Sequence, residues 1–96
     1  MNLGEIEKIL KEHRRELERK FKVREIGIFG SYVRGEQSER SDVDILVDFC
    51  ETPSLFEFIE LEMYLSDLLG VKVDLVMKRA LKPYIKQHIL KEVVYI

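Results

Sequence analysis

Gly30-Ser31, ten further residues, then Asp42-Val43-Asp44: in this order lie the residue types of the chain best suited to chemistry. Asp42 and Asp44 are two apart, so on an extended backbone both carboxylates point to the same side. Acidic residues are depleted in strands, and carboxylates on one face repel. A third, Asp74, lies in VKVDLVM (71–77), again opposite the apolar positions of a strand-like run. If the two strands are neighbours, the three carboxylates converge. Charges about 4 Å apart repel by ~1 kcal/mol in water and ~4 kcal/mol at an effective dielectric near 20. Three such pairs would remove a large part of a small domain's net stability, roughly 5–15 kcal/mol. A structural role does not account for that cost, whereas a bound divalent cation does. Mg2+ takes hard oxygen ligands, usually one or two carboxylates plus substrate phosphates. Two such ions bridged by carboxylates serve in-line attack at phosphorus, and Mn2+ could stand in their place. The competing reading is that the three aspartates merely mark strand ends facing solvent.

The Gly-Ser turn supplies a complementary half. Gly30 lets the backbone approach a phosphate without a Cβ clash. Ser31 adds a hydroxyl and the N–H groups of a following helical turn. Arg34 and Arg40 flank the site as cations able to neutralise transferring or leaving charge, and Ser41 adjoins Asp42 as a further nucleotide-binding candidate. Other motifs are excluded. There is no G-x-x-x-x-G-K-[ST], and Gly27, Gly30 and Gly35 do not spell G-x-G-x-x-G. Cys50 has no His partner for nucleophilic work, because His13 and His88 fall on separate helical segments, and it reads as an inert small apolar side chain.

The elements that must position these residues follow from periodicity. Asn2 with Glu5 has the pattern of an N-cap and its capping-box partner. Ile6, Ile9, Leu10, His13 and Leu17 then recur at helical spacing, predicting a helix over about 3–20 in which His13 packs on the apolar side. VREIGIF (23–29) reads as a strand, SYVRGE as a turn or two of helix capped by Ser31, and EQSERS as a loop. DVDILVDF (42–49) is a second strand, with Val43, Ile45 and Val47 on one face and Asp42, Asp44 and Leu46 on the other. Ser54 with Glu57 repeats the capping box. The stripe Phe58, Leu61, Leu65, Leu68, Leu69 and a C′ Gly70 predict a helix over 55–69. A third strand over 71–77 and a helix from about Leu81–Pro83 to Lys91 follow, and VVYI closes the chain as a short strand or docked tail. The order α-β-α-β-α-β-α implies an α/β (α+β) fold, a small mixed sheet packed with helices.

Composition bounds the rest. The chain has 96 residues, 46% hydrophobic, which predicts a single domain spanning 1–96 with one core. Sixteen basic and eighteen acidic side chains leave a net charge of −2, so no broad footprint for a nucleic-acid duplex is expected. No apolar run reaches the length of a membrane span, and the charged N-terminus lacks a signal-peptide core. With Cys50 as the only cysteine, no internal disulfide forms and a reducing cytoplasm fits.

These residues carry a resemblance. GSYVRGEQSERSDVDILVDF (30–49), with VKVDLV (71–76) and the tail ALKPYIKQHILKEVVYI (80–96), resembles the minimal nucleotidyltransferase (MNT) domain of the DNA polymerase beta-like superfamily. Val33 stands where the commonest family form has Ala. The resemblance implies the palm-like nucleotidyltransferase fold, divalent metal (two Mg2+ ions, or Mn2+) on Asp42, Asp44 and Asp74, and Gly30 and Ser31 at the phosphates of ATP. It further implies a partner, a HEPN-domain RNase toxin, which such small proteins neutralise by transferring AMP to a tyrosine. A chain of ninety-six residues is expected to lack the template- or acceptor-holding domains of larger relatives, so the acceptor is expected to bring its own surface. Two other functions fit the same residues. One is a non-catalytic antitoxin masking its partner by contact, through Tyr32, Phe56, Tyr84 or Tyr95, although these aromatics are expected in the core or at its boundary. The other is nucleotidyl transfer to a small molecule, for which a homodimer could build the acceptor pocket.

Overall fold

The computed structural model describes residues 1–96. Alternating burial sets the sheet. Ile26 and Ile28 of β1 (Val23–Phe29) and Val43, Ile45 and Val47 of β2 (Val43–Phe49) are buried on one face, beside Val73 and Leu75 of β3 (Val73–Met77). The strand order is β3-β2-β1-β4, with β4 the short Val94–Tyr95. β1 is antiparallel to both its neighbours, β2 and β4, whereas β2 and β3 run parallel. A parallel pair needs a long crossover, and α4 (Leu55–Leu69) provides it. Three helices cover this face: α1 (Leu3–Glu12) brings Ile6 and Leu10, α2 (Arg14–Phe21) brings Leu17 and Phe21, and α4 brings Leu61, Leu65 and Leu69.

The second face, which bears the acids, is only partly covered. Leu46 and Ile89 are buried outside the main core. Val93 lies over Gly27, 2.7 Å from where a Cβ would stand. The helix α5 (Pro83–Glu92) and its exit into β4 therefore close part of this face. No helix is long and apolar enough to cross a membrane.

The mixed sheet packed with helices agrees with the sequence reading, and α4 has the predicted bounds. Ser54 Oγ accepts from the Glu57 N–H at 3.2 Å while Glu57 Oε1 accepts from the Ser54 N–H at 2.9 Å. At the N-terminus only half of the box forms, with Asn2 Oδ1 accepting from the Glu5 N–H at 2.9 Å. The helix expected over 3–20 is two helices. His13 departs from helical geometry (φ −107°, ψ 9°), its ring Nδ1 lies 2.8 Å from the Ile9 carbonyl oxygen, and its N–H is shared between Ile9 and Leu10. The break lets each piece lay its own stripe on the sheet. α2 ends at Lys22, a non-glycine residue in the left-handed region (φ 58°). β3 starts at Val73 rather than Val71, with the Val43 N–H donating to the Lys72 carbonyl at its edge.

The aromatics are a correction. Tyr32 is buried, but Phe56 and Tyr84 are 83% and 74% exposed and Tyr95 is exposed too. α4 and α5 bury Leu61, Leu65, Leu69 and Ile89, which leaves Phe56 and Tyr84 to point outward. Cys50, just past β2, is likewise exposed.

Candidate active site

The parallel register of β2 and β3 pairs Asp44 with Asp74. Both flank core-facing residues (Val43 and Ile45, Val73 and Leu75), so both carboxylates emerge on the opposite face, one strand spacing apart. Asp42 lies just before β2, outside the strand expected to include it, and its charge reaches Asp44. On the other side of β2, Phe29 is the register partner of Asp44, so the chain leaves β1 directly beside this carboxylate.

Gly30 is that exit residue. Its backbone (φ 82°, ψ −151°) lies in a region that essentially only glycine occupies, and a Cβ there would stand 2.0 Å from Asp44 Oδ2. The glycine expected to admit a phosphate thus already admits a carboxylate of the site. Ser31 begins α3 (Ser31–Arg34) as its first residue, and the cap position expected of it belongs to Gly30.

Arg34 points back along the site. Its Nη1 donates to both oxygens of Glu92 at 3.1 Å, and its Nε donates to Glu36 Oε1 at 2.6 Å. The Gly30 N–H also donates to Glu92, at 2.8 Å from Oε1. Periodicity could not reveal Glu92, because a Glu following a Lys at a helix end reads as solvated surface. The loop residues stand differently. Arg40 is exposed and forms no ion pair, and Ser41 Oγ accepts from the Ser38 N–H at 2.8 Å, closing the 38–41 turn.

The convergence of the three aspartates is partial, which corrects the sequence-based expectation. No three acidic, His or Cys side chains lie close enough to hold a metal ion as they stand. Asp42 reaches instead toward Lys72, whose Nζ is 3.8 Å from Oδ2. Like charges with room to turn separate and seek counter-charges, so the repulsion is smaller than three 4 Å pairs would give. It is not absent. Burial pushes the Asp44 carboxyl above the usual carboxylate range, and the charges of Asp74 and Asp42 push it the same way, against Arg34. The donor set suits a hard divalent cation: carboxylate oxygens only, on adjacent strands, with neither His nor Cys.

Asp48 also lies on this face of β2, four residues beyond Asp44, but its role differs. It is buried, with Arg24 and Arg79 bonded to its two oxygens. Burial alone would raise its carboxyl; the hydrogen bonds from Arg24 and Arg79 outweigh this and hold it below the usual range. Asp48 anchors the far end of the sheet.

Residues 10–96 match the family described as Nucleotidyltransferase domain. The chain belongs to that family. This nucleotidyltransferase is 64% identical over 96 residues to the protein adenylyltransferase MntA of Thermococcus cleftensis, a match covering all of its own length and 97% of the relative's. Two solved structures share its fold. One, a toxin–antitoxin structure with AMP-PNP, superposes with a TM-score of 0.72 at 29% identity, covering 99% of this nucleotidyltransferase and 72% of the other chain. The second is a tri-AMPylated Shewanella oneidensis HEPN toxin in complex with MNT antitoxin, with a TM-score of 0.67 at 26% identity over 92% and 69%. The nucleotidyltransferase fold and enzyme class expected from the motif are therefore those of the chain.

Proposed function

We propose that this nucleotidyltransferase is an antitoxin that transfers AMP from ATP to a tyrosine of a HEPN-domain toxin. The observation that carries the reading is the placement of Asp44 beside Asp74 on adjacent parallel strands, with Gly30 closed against Asp44. The relatives support the rest: an adenylyltransferase by name, a nucleotide analogue in one similar structure, and an AMPylated toxin in another.

Asp42, Asp44 and Asp74 would hold Mg2+, which would supply charge neutralisation at the triphosphate and a lowered pKa for the attacking hydroxyl. Asp42 would turn from Lys72 to join the other two. Gly30 N–H and Arg34 would meet phosphate oxygens, with the Ser31 hydroxyl beside them; Arg40 and Ser41, on the adjoining loop, complete the nucleotide-binding set. The tyrosine oxygen attacks the α-phosphorus and forms a new P–O bond as the bond to the β-phosphate bridging oxygen breaks, and pyrophosphate leaves. Asp74 is exposed and would accept the proton the tyrosine gives up. The reaction needs no membrane, and the cytoplasm is its expected place.

The test is incubation with α-labelled ATP, Mg2+ and the HEPN partner. Label is expected on the partner's tyrosine with the wild type and not with Asp42→Ala or Asp44→Ala. No label from the wild type, with both variants still neutralising the toxin, would discard the enzymatic reading. That result would instead favour masking by contact, the second reading, which draws on the exposed apolar face of α4: Leu55, Phe56 and Met63 are 71%, 83% and 63% exposed.

A further inference from the structure

We propose that Glu92 is an internal anion that occupies the phosphate-recognising groups of the site and must be displaced for ATP to bind. The inference rests on the reading above that Gly30 and Arg34 meet the nucleotide's phosphates. Its own basis is the placement of Glu92, 62 residues from Gly30 in sequence. Glu92 Oε1 takes the Gly30 N–H at 2.8 Å, and Arg34 Nη1 grips both carboxylate oxygens at 3.1 Å. Two oxygens of one anion are thus held by a backbone N–H and a guanidinium, the partners a phosphate would use.

The carboxylate has no partners other than the Gly30 N–H and Arg34. Glu92 ends α5, where the helix dipole disfavours negative charge. Its side chain is only 27% exposed, and its charge adds to those of Asp74 and Asp42 acting on Asp44. α5 is fixed by the buried Ile89 and by the β4 pairing, not by this ion pair. Arg34 has a second anchor in Glu36, through Nε. It can therefore hold its place while Nη1 exchanges one anion for another. A triphosphate cannot share these donors with Glu92, because like charges would meet at hydrogen-bond distance. Nucleotide affinity is therefore reduced by the fraction of molecules in which Glu92 has let go.

The experiment is calorimetric titration of AMP-PNP with Mg2+ into the wild type, Glu92→Gln and Glu92→Ala. Glu92→Gln keeps the shape and an acceptor for the Gly30 N–H while removing the charge. Both variants should bind more tightly, by roughly tenfold or more if Glu92 is engaged in nine molecules of ten. A gain in affinity is a result that a poorly folded variant cannot mimic. Binding by the variants where the wild type shows none supports the inference most strongly. Wild-type binding with variants equal or weaker overturns it and leaves the proposed function standing. Absence of binding by all three proteins overturns both.

Discussion

Replacing Gly30 by alanine tests the architecture of the site more sharply than removing any acid. Two costs add at this position. The backbone (φ 82°, ψ −151°) is closed to a side chain, and forcing an L-residue into such a region costs about 1–3 kcal/mol. The new Cβ would also stand 2.0 Å from Asp44 Oδ2 and 3.0 Å from its Cγ, so Asp44 must turn away or β1 must shift. Gly35 is the control. It too has positive φ (72°), but a Cβ there would meet nothing within 4 Å, so Gly35→Ala should cost only about 1 kcal/mol. Gly30→Ala should cost about 3 kcal/mol, out of a stability of roughly 5–15 kcal/mol, and lower Tm by roughly 12–24 °C. Urea denaturation and labelled AMP transfer read the two effects separately. Transfer should fall by about a hundredfold or more in Gly30→Ala, from misplacing Asp44, and stay at the wild-type level in Gly35→Ala. In an Asp44→Ala background the Oδ2 and Cγ clashes are gone, so Gly30→Ala should cost at least ~1 kcal/mol less. Equal losses from the two glycine variants, or an unimpaired Gly30→Ala enzyme, would refute the reasoning.

Three further outcomes follow from the electrostatics and backbone. Asp44 has a raised carboxyl in the folded state, so its charge opposes folding above the unfolded value near pH 4. Asp44→Asn should therefore raise Tm at pH 7 and lose that advantage as pH falls below the unfolded value, as read by calorimetry across pH. Asp48 has the opposite sign: its lowered carboxyl stabilises above the unfolded value, and this is lost as pH drops through the folded one. Asp48→Asn should cost about 1–2 kcal/mol at neutral pH, discounted because Arg24 and Arg79 are partly in water. Lys22→Gly should stabilise by about 1 kcal/mol, since it relieves a left-handed residue at the end of α2, and urea midpoints would show it.

The division between what the sequence discloses and what it hides has physical causes. α4 was legible to the residue because its signals are local: a reciprocal Ser54–Glu57 cap, a leucine stripe, a glycine at C′. Asp42, Asp44 and Asp74 stood out because an acid in a strand violates local preference, and alternation alone fixed the face of Asp44 and Asp74. The break at His13 was hidden because the apolar spacing runs on through it; only the competition for the Ile9 carbonyl shows it. The partial separation of the acids depends on side-chain rotation and on Lys72, which no period records. Glu92 was invisible for a different reason. Its meaning comes from two donors 62 and 58 residues earlier in the chain, brought to it by β4 pairing at the edge of β1. The anchoring role of Asp48 likewise comes from distant residues, Arg24 and Arg79, which enclose it.

The central claim is that Asp42, Asp44 and Asp74 act together on one cation beside the nucleotide. Anomalous diffraction from crystals grown with Mn2+ and AMP-PNP measures it directly. The account predicts a manganese peak in contact with carboxylate oxygens of all three aspartates, with Asp42 released from Lys72. A nucleotide bound with manganese elsewhere, or with Asp74 taking no part, would contradict it.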